Sequence, residues 1–256
     1  MKEQALKLQT ADGTMPVWTY RPDGDGPFPA VIFYMDGVAI RPILFEMARR
    51  LASHGYYVAL PDLFYRAGAY KPFDGATVFS DEKEKERLMG LIRSVTPRGI
   101  AADTDAILAH FDAEPAADGT NVGTVGYCMG GSAALSAAGR HPDRVKAAAS
   151  YHGARLATDQ PESPHLLAPR MKARVYVGYA ENDHGFPDAQ RELLERALTD
   201  AGVPHDIVRY HAAHGFTMAD LPVYNRDEAE RHWSTMLTLF TRGLPAPGSG
   251  ARRSQG

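Results

Sequence analysis

One hexapeptide limits the folds open to this chain: Gly126-Tyr127-Cys128-Met129-Gly130-Gly131, which carries the only cysteine among 256 residues. Before it, Asn121-Val122-Gly123-Thr124-Val125 has the β-branched, glycine-dotted character of a strand buried in a parallel sheet. After it, Ser132 to Arg140 reads as a helix with small residues toward that sheet. A strand that turns sharply into a helix needs glycine on both sides of the turn, because the two segments approach more closely than side chains allow. Gly126 and Gly130 stand two residues before and two after Cys128. A cysteine held there meets the positive end of a helix, which favours thiolate over thiol. The amide of Met129 is placed to donate to a developing oxyanion. The glycine bracket thus favours a nucleophile over a buried structural cysteine.

The segments around this turn alternate between the two periodicities. Leu6 to Gln9 and Met15 to Tyr20 flank Asp12-Gly13, a hairpin signal, so the chain opens antiparallel. Ala30 to Tyr34 is almost wholly apolar, as a strand covered on both faces must be. Ile43, Leu44, Met47, Ala48 and Leu51 then follow helical spacing as far as His54-Gly55, and Tyr56 to Leu60 gives the next strand. This βαβ unit implies a right-handed crossover. Residues 61 to 79 lack periodicity and are rich in aromatics, Gly and Pro, as expected of an excursion over the carboxyl edge of a sheet. Asp81 to Arg87 begins a helix with a charged first turn, and Ile100 to Phe111 forms another. Val145 to Ser150, Ala173 to Tyr179 and His205 to Tyr210 add strands, Pro187 to Ala201 a helix, and Asn225 to Phe240 a closing amphipathic helix. The expected architecture is α/β: a mostly parallel eight-stranded sheet with an antiparallel N-terminal hairpin and helices on both faces, in one domain over 1–243, with 244–256 as a flexible tail.

Composition narrows the partners. A formal net charge of -3 and a pI near 6.4 give no reason to expect nucleic acid or an anionic membrane. One cysteine supplies neither a disulfide framework nor a multi-cysteine zinc site. No apolar run reaches the length of a membrane span and the start has no signal core, so the chain reads as soluble and cytoplasmic, a monomer or homodimer.

A cysteine nucleophile needs a base, and the base needs an orienting group. Two loops after later strands qualify: Ala180-Glu181-Asn182-Asp183-His184-Gly185 and His211-Ala212-Ala213-His214-Gly215-Phe216. Taking Asp183 and His214 gives the chain order Cys, Asp, His, which is that of α/β-hydrolases. Glu181 is the acidic rival of Asp183. His152, after the strand ending at Ser150, is a rival base whose other reading is a pocket wall. His211 and His214 at i, i+3 have no further ligand beside them, so no metal and no cofactor is expected. Ser132, one turn into the helix, lies too deep to act. The second oxyanion donor is expected from Met35-Asp36-Gly37-Val38, with the Gly37 amide well placed. Asp36 beside a thiol calls for a neutralising cation or a gating role; otherwise it caps a turn.

Gly-Tyr-Cys-Met-Gly-Gly at 126 to 131, Asn-Asp-His at 182 to 184, His-Gly-Phe at 214 to 216 and Pro-Asp-Leu-Phe-Tyr-Arg at 61 to 66 resemble dienelactone hydrolase (carboxymethylenebutenolidase) along nearly the whole chain up to the tail. The resemblance implies an α/β-hydrolase fold and a triad of Cys128, His214 and Asp183 that cleaves a lactone or ester through an acyl-enzyme. It links the acidic residue at position 36 to activation of the cysteine, although members that hydrolyse dienelactone carry Glu there. It places arginines for a substrate carboxylate where this chain has Met218 and, by loose alignment, Lys85. Losing arginine's forked donors weakens the case for an anionic substrate. Aromatics such as Phe33, Tyr34, Phe64, Tyr65, Phe73, Tyr151 and Phe216 suggest a bulkier or less charged one, with Tyr34, Tyr65, Lys85, Tyr151, His152, Phe216 and Met218 as pocket candidates. A thioesterase or ring-closing enzyme on the same triad, or a ligand-binding protein without turnover, are the alternative readings.

Overall fold

The computed structural model describes residues 1–246. Lys2–Thr10 (β1) and Gly13–Arg21 (β2) pair antiparallel across Ala11-Asp12. Then follow Phe28–Tyr34 (β3), Pro42–Ser53 (α1), Tyr57–Pro61 (β4), Glu82–Ser94 (α2), Pro97–Ala113 (α3) and Ala117–Tyr127 (β5). Met129–Arg140 (α4), Val145–Tyr151 (β6), Arg174–Ala180 (β7), Asp188–Asp200 (α5), His205–Tyr210 (β8) and Arg226–Gly243 (α6) complete the chain. The eight strands form one sheet in the order β1-β2-β4-β3-β5-β6-β7-β8. Strand β2 meets β4 antiparallel, and every pairing from β4 through β8 is parallel. The α/β architecture expected from the alternating periods is the one observed.

Burial explains the strand compositions. Val31, Ile32 and Phe33 in β3 and Ala147, Ala148 and Ala149 in β6 are fully inaccessible, because helices cover both faces of the central sheet. Thr124 at the centre of β5 satisfies its hydroxyl on the Ala134 carbonyl of α4. Under α6 lies an aromatic layer in which Tyr127, Tyr151 and Tyr210 surround His232 and Thr235. Burial pushes the His232 imidazole down to about 3, so it stays neutral, and its ring nitrogens meet the Tyr127 hydroxyl and the Ala229 carbonyl.

The charged first turn expected at Asp81 is present, and the boundary of the tail moves. The charged start of α2 is a capped helix terminus: the Asp81 carboxylate accepts from the amides of Lys83 and Glu84. Leu244, assigned to the tail, is buried, donates its amide to Phe240 and packs where a Cβ on Gly123 would stand. An aliphatic side chain with an apolar site in reach is held there by its burial. Residues 247–256, the rest of that expected tail, lie outside the described residues. No helix among the described residues is long and apolar enough to cross a membrane.

Candidate active site

Parallel strands bring their carboxyl ends to one edge, and the residues singled out from sequence gather there. Gly37 follows β3, Cys128 follows β5, His152 follows β6, Asp183 follows β7 and His214 follows β8. All five line a cleft of about 1020 Å³.

Cys128 occupies the left-handed region, φ 53° and ψ -119°, which costs a non-glycine residue strain of order 1–3 kcal/mol. The two bracketing glycines are sterically required. A Cβ on Gly126 would fall 1.8 Å from the Gly130 carbonyl oxygen, and one on Gly130 would fall 2.4 Å from the Met35 oxygen. The elbow is therefore wedged between β5, α4 and the loop after β3, leaving Cys128 half-buried and facing the cleft. Met129 opens α4, so its amide is one of the helix N–H groups without an intrahelical acceptor. Across the site, a Cβ on Gly37 would stand 4.0 Å from the Cys128 sulfur, which puts that loop's backbone beside the thiol.

His214 lines the cleft together with Cys128, and its Nδ1 donates to Asp183 Oδ2 at 2.8 Å. The other Asp183 oxygen accepts the Gly185 amide at 2.8 Å, and the carboxylate is buried, so its orientation is fixed. Burial alone would push the imidazole down. Cys128 and Asp183 together outweigh it, and His214 is pushed up to about 10. An imidazolium thus stands between two groups that carry negative charge when ionised.

The rivals make other contacts. Glu181 lines the cleft, but its carboxylate lies 3.7 Å from Arg209 and from His211 and leaves His214 to Asp183. His211 is exposed; its amide binds Glu228. Ser132 turns its hydroxyl back onto the Met129 carbonyl, within the helix. His152 is buried at the cleft wall, edge-on to His214 at 5.1 Å between centroids, with Nε2 bonded to the Thr217 hydroxyl at 2.8 Å. Burial, helped by His214 and His232, pushes it well below 6.5, so it is a neutral wall.

Most of the expected pocket side chains belong to other parts of the fold. Tyr34 is in the core, bonded to Thr104, because inward-pointing strand residues end under α3. Tyr65 binds Thr10 and Asp103 near the hairpin. Tyr151 sits in the aromatic layer with Thr235. Phe216 stacks on Tyr210 and braces His152. Met218 is fully buried in the core, and Lys85 is exposed and paired with Glu82. What lines the cleft instead is an apolar wall from α2 and its approach, Phe79, Leu88, Met89 and Ile92, facing Leu221, Pro222 and Val223.

Asp36 also lines the cleft, yet it is tied sideways. Arg41 gives Nη1 to Asp36 Oδ1 at 2.6 Å and Nη2 to Oδ2 at 2.9 Å. Its Nε and Nη2 reach Asp220 at 2.6 and 3.2 Å, and Nη1 also meets the Ala39 carbonyl. This cation neutralises the carboxylate beside the thiol. The sequence called for a cation at Asp36 without saying which; Arg41 is that cation, and Asp220, 179 residues away from it, carried no signal.

Comparison with known proteins places the same residues in a family. Residues 15–244 match the profile of the dienelactone hydrolase family. The carboxymethylenebutenolidase of Pseudomonas sp. (strain P51) is 26% identical over 220 residues, covering 86% of this chain and 87% of that protein. A "Putative carboxymethylenebutenolidase" of Escherichia coli O157:H7 is 30% identical over 232 residues, 88% of this chain and 82% of that one. A crystal structure described as a "Putative Dienelactone Hydrolase" from Klebsiella pneumoniae superposes with a TM-score of 0.80 at 26% identity, over 94% of this chain and 98% of that one.

Proposed function

This chain belongs to the dienelactone hydrolase family, and from that premise we propose that it hydrolyses a carboxylic ester or lactone through an acyl-cysteine. Cys128 attacks the carbonyl carbon as thiolate, and the oxygen that gains charge is held by the amides of Met129 and Gly37. His214, as imidazolium, donates its proton to the leaving oxygen. The neutral imidazole then takes a proton from water, which attacks the acyl-cysteine and releases the acid. Asp183 keeps the ring oriented throughout. In a lactone the leaving alcohol stays tethered to the acyl group and departs with it after hydrolysis.

The observation that carries this reading is the position of His214, bonded to Asp183 and set in the same cleft as Cys128 at the carboxyl edge of the sheet. The test is the rate of p-nitrophenyl ester hydrolysis. Cys128→Ala abolishes turnover with melting temperature nearly unchanged, and His214→Ala lowers acyl transfer by about 10³-fold or more. His211→Ala and His184→Ala have far smaller effects. Turnover by Cys128→Ala at the wild-type rate sinks the proposal.

A further inference from the structure

Among the described residues the cleft has no lysine or arginine in its lining, although it holds three carboxylates, Asp36, Glu181 and Asp183. Arg41 is the cation behind that surface, and it has nothing left to offer. Its five N–H groups each have an acceptor, two on Asp36, two on Asp220 and one on the Ala39 carbonyl, and the side chain is almost inaccessible. Lys85, one turn before Leu88 on α2, is exposed and paired with Glu82. An anionic substrate entering here would find no free forked donor among the described residues to receive it.

The opposite wall is apolar and continues out of the cleft. Phe79, Met89 and Val223 are 50%, 37% and 40% exposed, and all three line the mouth. Large apolar side chains left in water around a concave site mark a surface that an apolar ligand covers. Inward from them, Ile92 reaches the oxyanion loop: a Cβ on Gly37 would fall 2.8 Å from its Cδ1. The apolar track thus runs from the solvent edge to the place where a substrate carbonyl would sit.

We infer that the substrate is an uncharged ester or lactone with an extended apolar group, which lies along Ile92, Leu88 and Met89 and reaches Phe79 and Val223 at the mouth. This rests on the hydrolytic reading above and adds its substrate class. Selectivity arises in two ways. No free forked cation among the described lining residues receives an anion, and each methylene moved from water onto the track adds roughly threefold to fourfold to kcat/KM.

The experiment measures kcat/KM of the wild-type enzyme on p-nitrophenyl acetate, hexanoate and hemiglutarate, the last matching hexanoate in length but carrying a carboxylate. The inference requires hexanoate to exceed acetate by at least about thirtyfold and hemiglutarate by about a hundredfold. Phe79→Ser combined with Met89→Ser, at two exposed positions, should collapse the hexanoate-to-acetate ratio. Met89→Arg should narrow the gap between hexanoate and hemiglutarate. A wild-type preference for hemiglutarate, with the acyl group found on Cys128, overturns the substrate class and leaves the hydrolytic reading standing. If Lys85→Ala then abolishes that preference, Lys85 is the missed cation. Failure of every ester to acylate Cys128 overturns both.

Discussion

His214 carries a strong electrostatic signature within the proposed triad. Its folded value near 10 lies above the ordinary 6.5, so protonation stabilises the folded state fully below pH 6.5, and that contribution is lost as the pH rises through about 10. In the proposed mechanism the imidazolium is also the donor to the leaving oxygen, so kcat/KM should fall on the alkaline side as the pH passes about 10. Nitrogen-15 NMR of the histidine rings checks this directly: His214 should titrate near 10 in the wild type and move down in Cys128→Ala, which removes the larger of its favourable partners. A titration unchanged by that substitution would detach the histidine from the cysteine. At this scale the sequence was informative where backbone sterics dictated residue type. The glycines at 126 and 130 could be read without coordinates, because no other residue fits 1.8 and 2.4 Å from a carbonyl oxygen. The pocket aromatics could not. Tyr34, Tyr65 and Tyr151 have partners in Thr104, Asp103 and Thr235, and nothing local distinguishes a tyrosine aimed at a core from one aimed at a cleft.

At the scale of elements, Arg41 joins two loops that the chemistry needs in register. Asp36 precedes the oxyanion loop's Gly37, and Asp220 lies on the segment that follows His214. Arg41→Met leaves Asp36 buried without its counter-charge, at a cost of about 3–5 kcal/mol to stability. It should lower kcat more than it raises KM, since Gly37 and His214 lose their common tether. Thermal melts and steady-state kinetics check both halves, and Asp36→Asn in the same chain should recover part of the stability but not of kcat. Equal stability of Arg41→Met and wild type would show that the ion triad tethers nothing. Secondary structure was legible here because each segment's period matched its burial. Helix α2 was harder: its first turn reads as charged and solvated, while its apolar residues face a cleft that is completed by loops far away in sequence, those after β3 and β8.

In the whole molecule, the parallel sheet does for the site what no local segment can. It delivers five loop positions from β3, β5, β6, β7 and β8 to one edge, and the order Cys, Asp, His follows from that topology. The family resemblance therefore reached the family and its class of reaction, hydrolysis of ester or lactone bonds. It was a weaker guide to the substrate, because the lining comes from α2 and residues 221–223, outside the motifs that carry the resemblance. The central claim is the covalent step on Cys128, and trapping the intermediate tests it most directly. Rapid acid quench of the enzyme with p-nitrophenyl hexanoate, followed by peptide mass analysis, should find one hexanoyl group per chain on the peptide containing Cys128, forming as fast as p-nitrophenol is released in the first turnover. A hexanoyl group on Ser132 or another residue, formed at that same rate, would contradict the account.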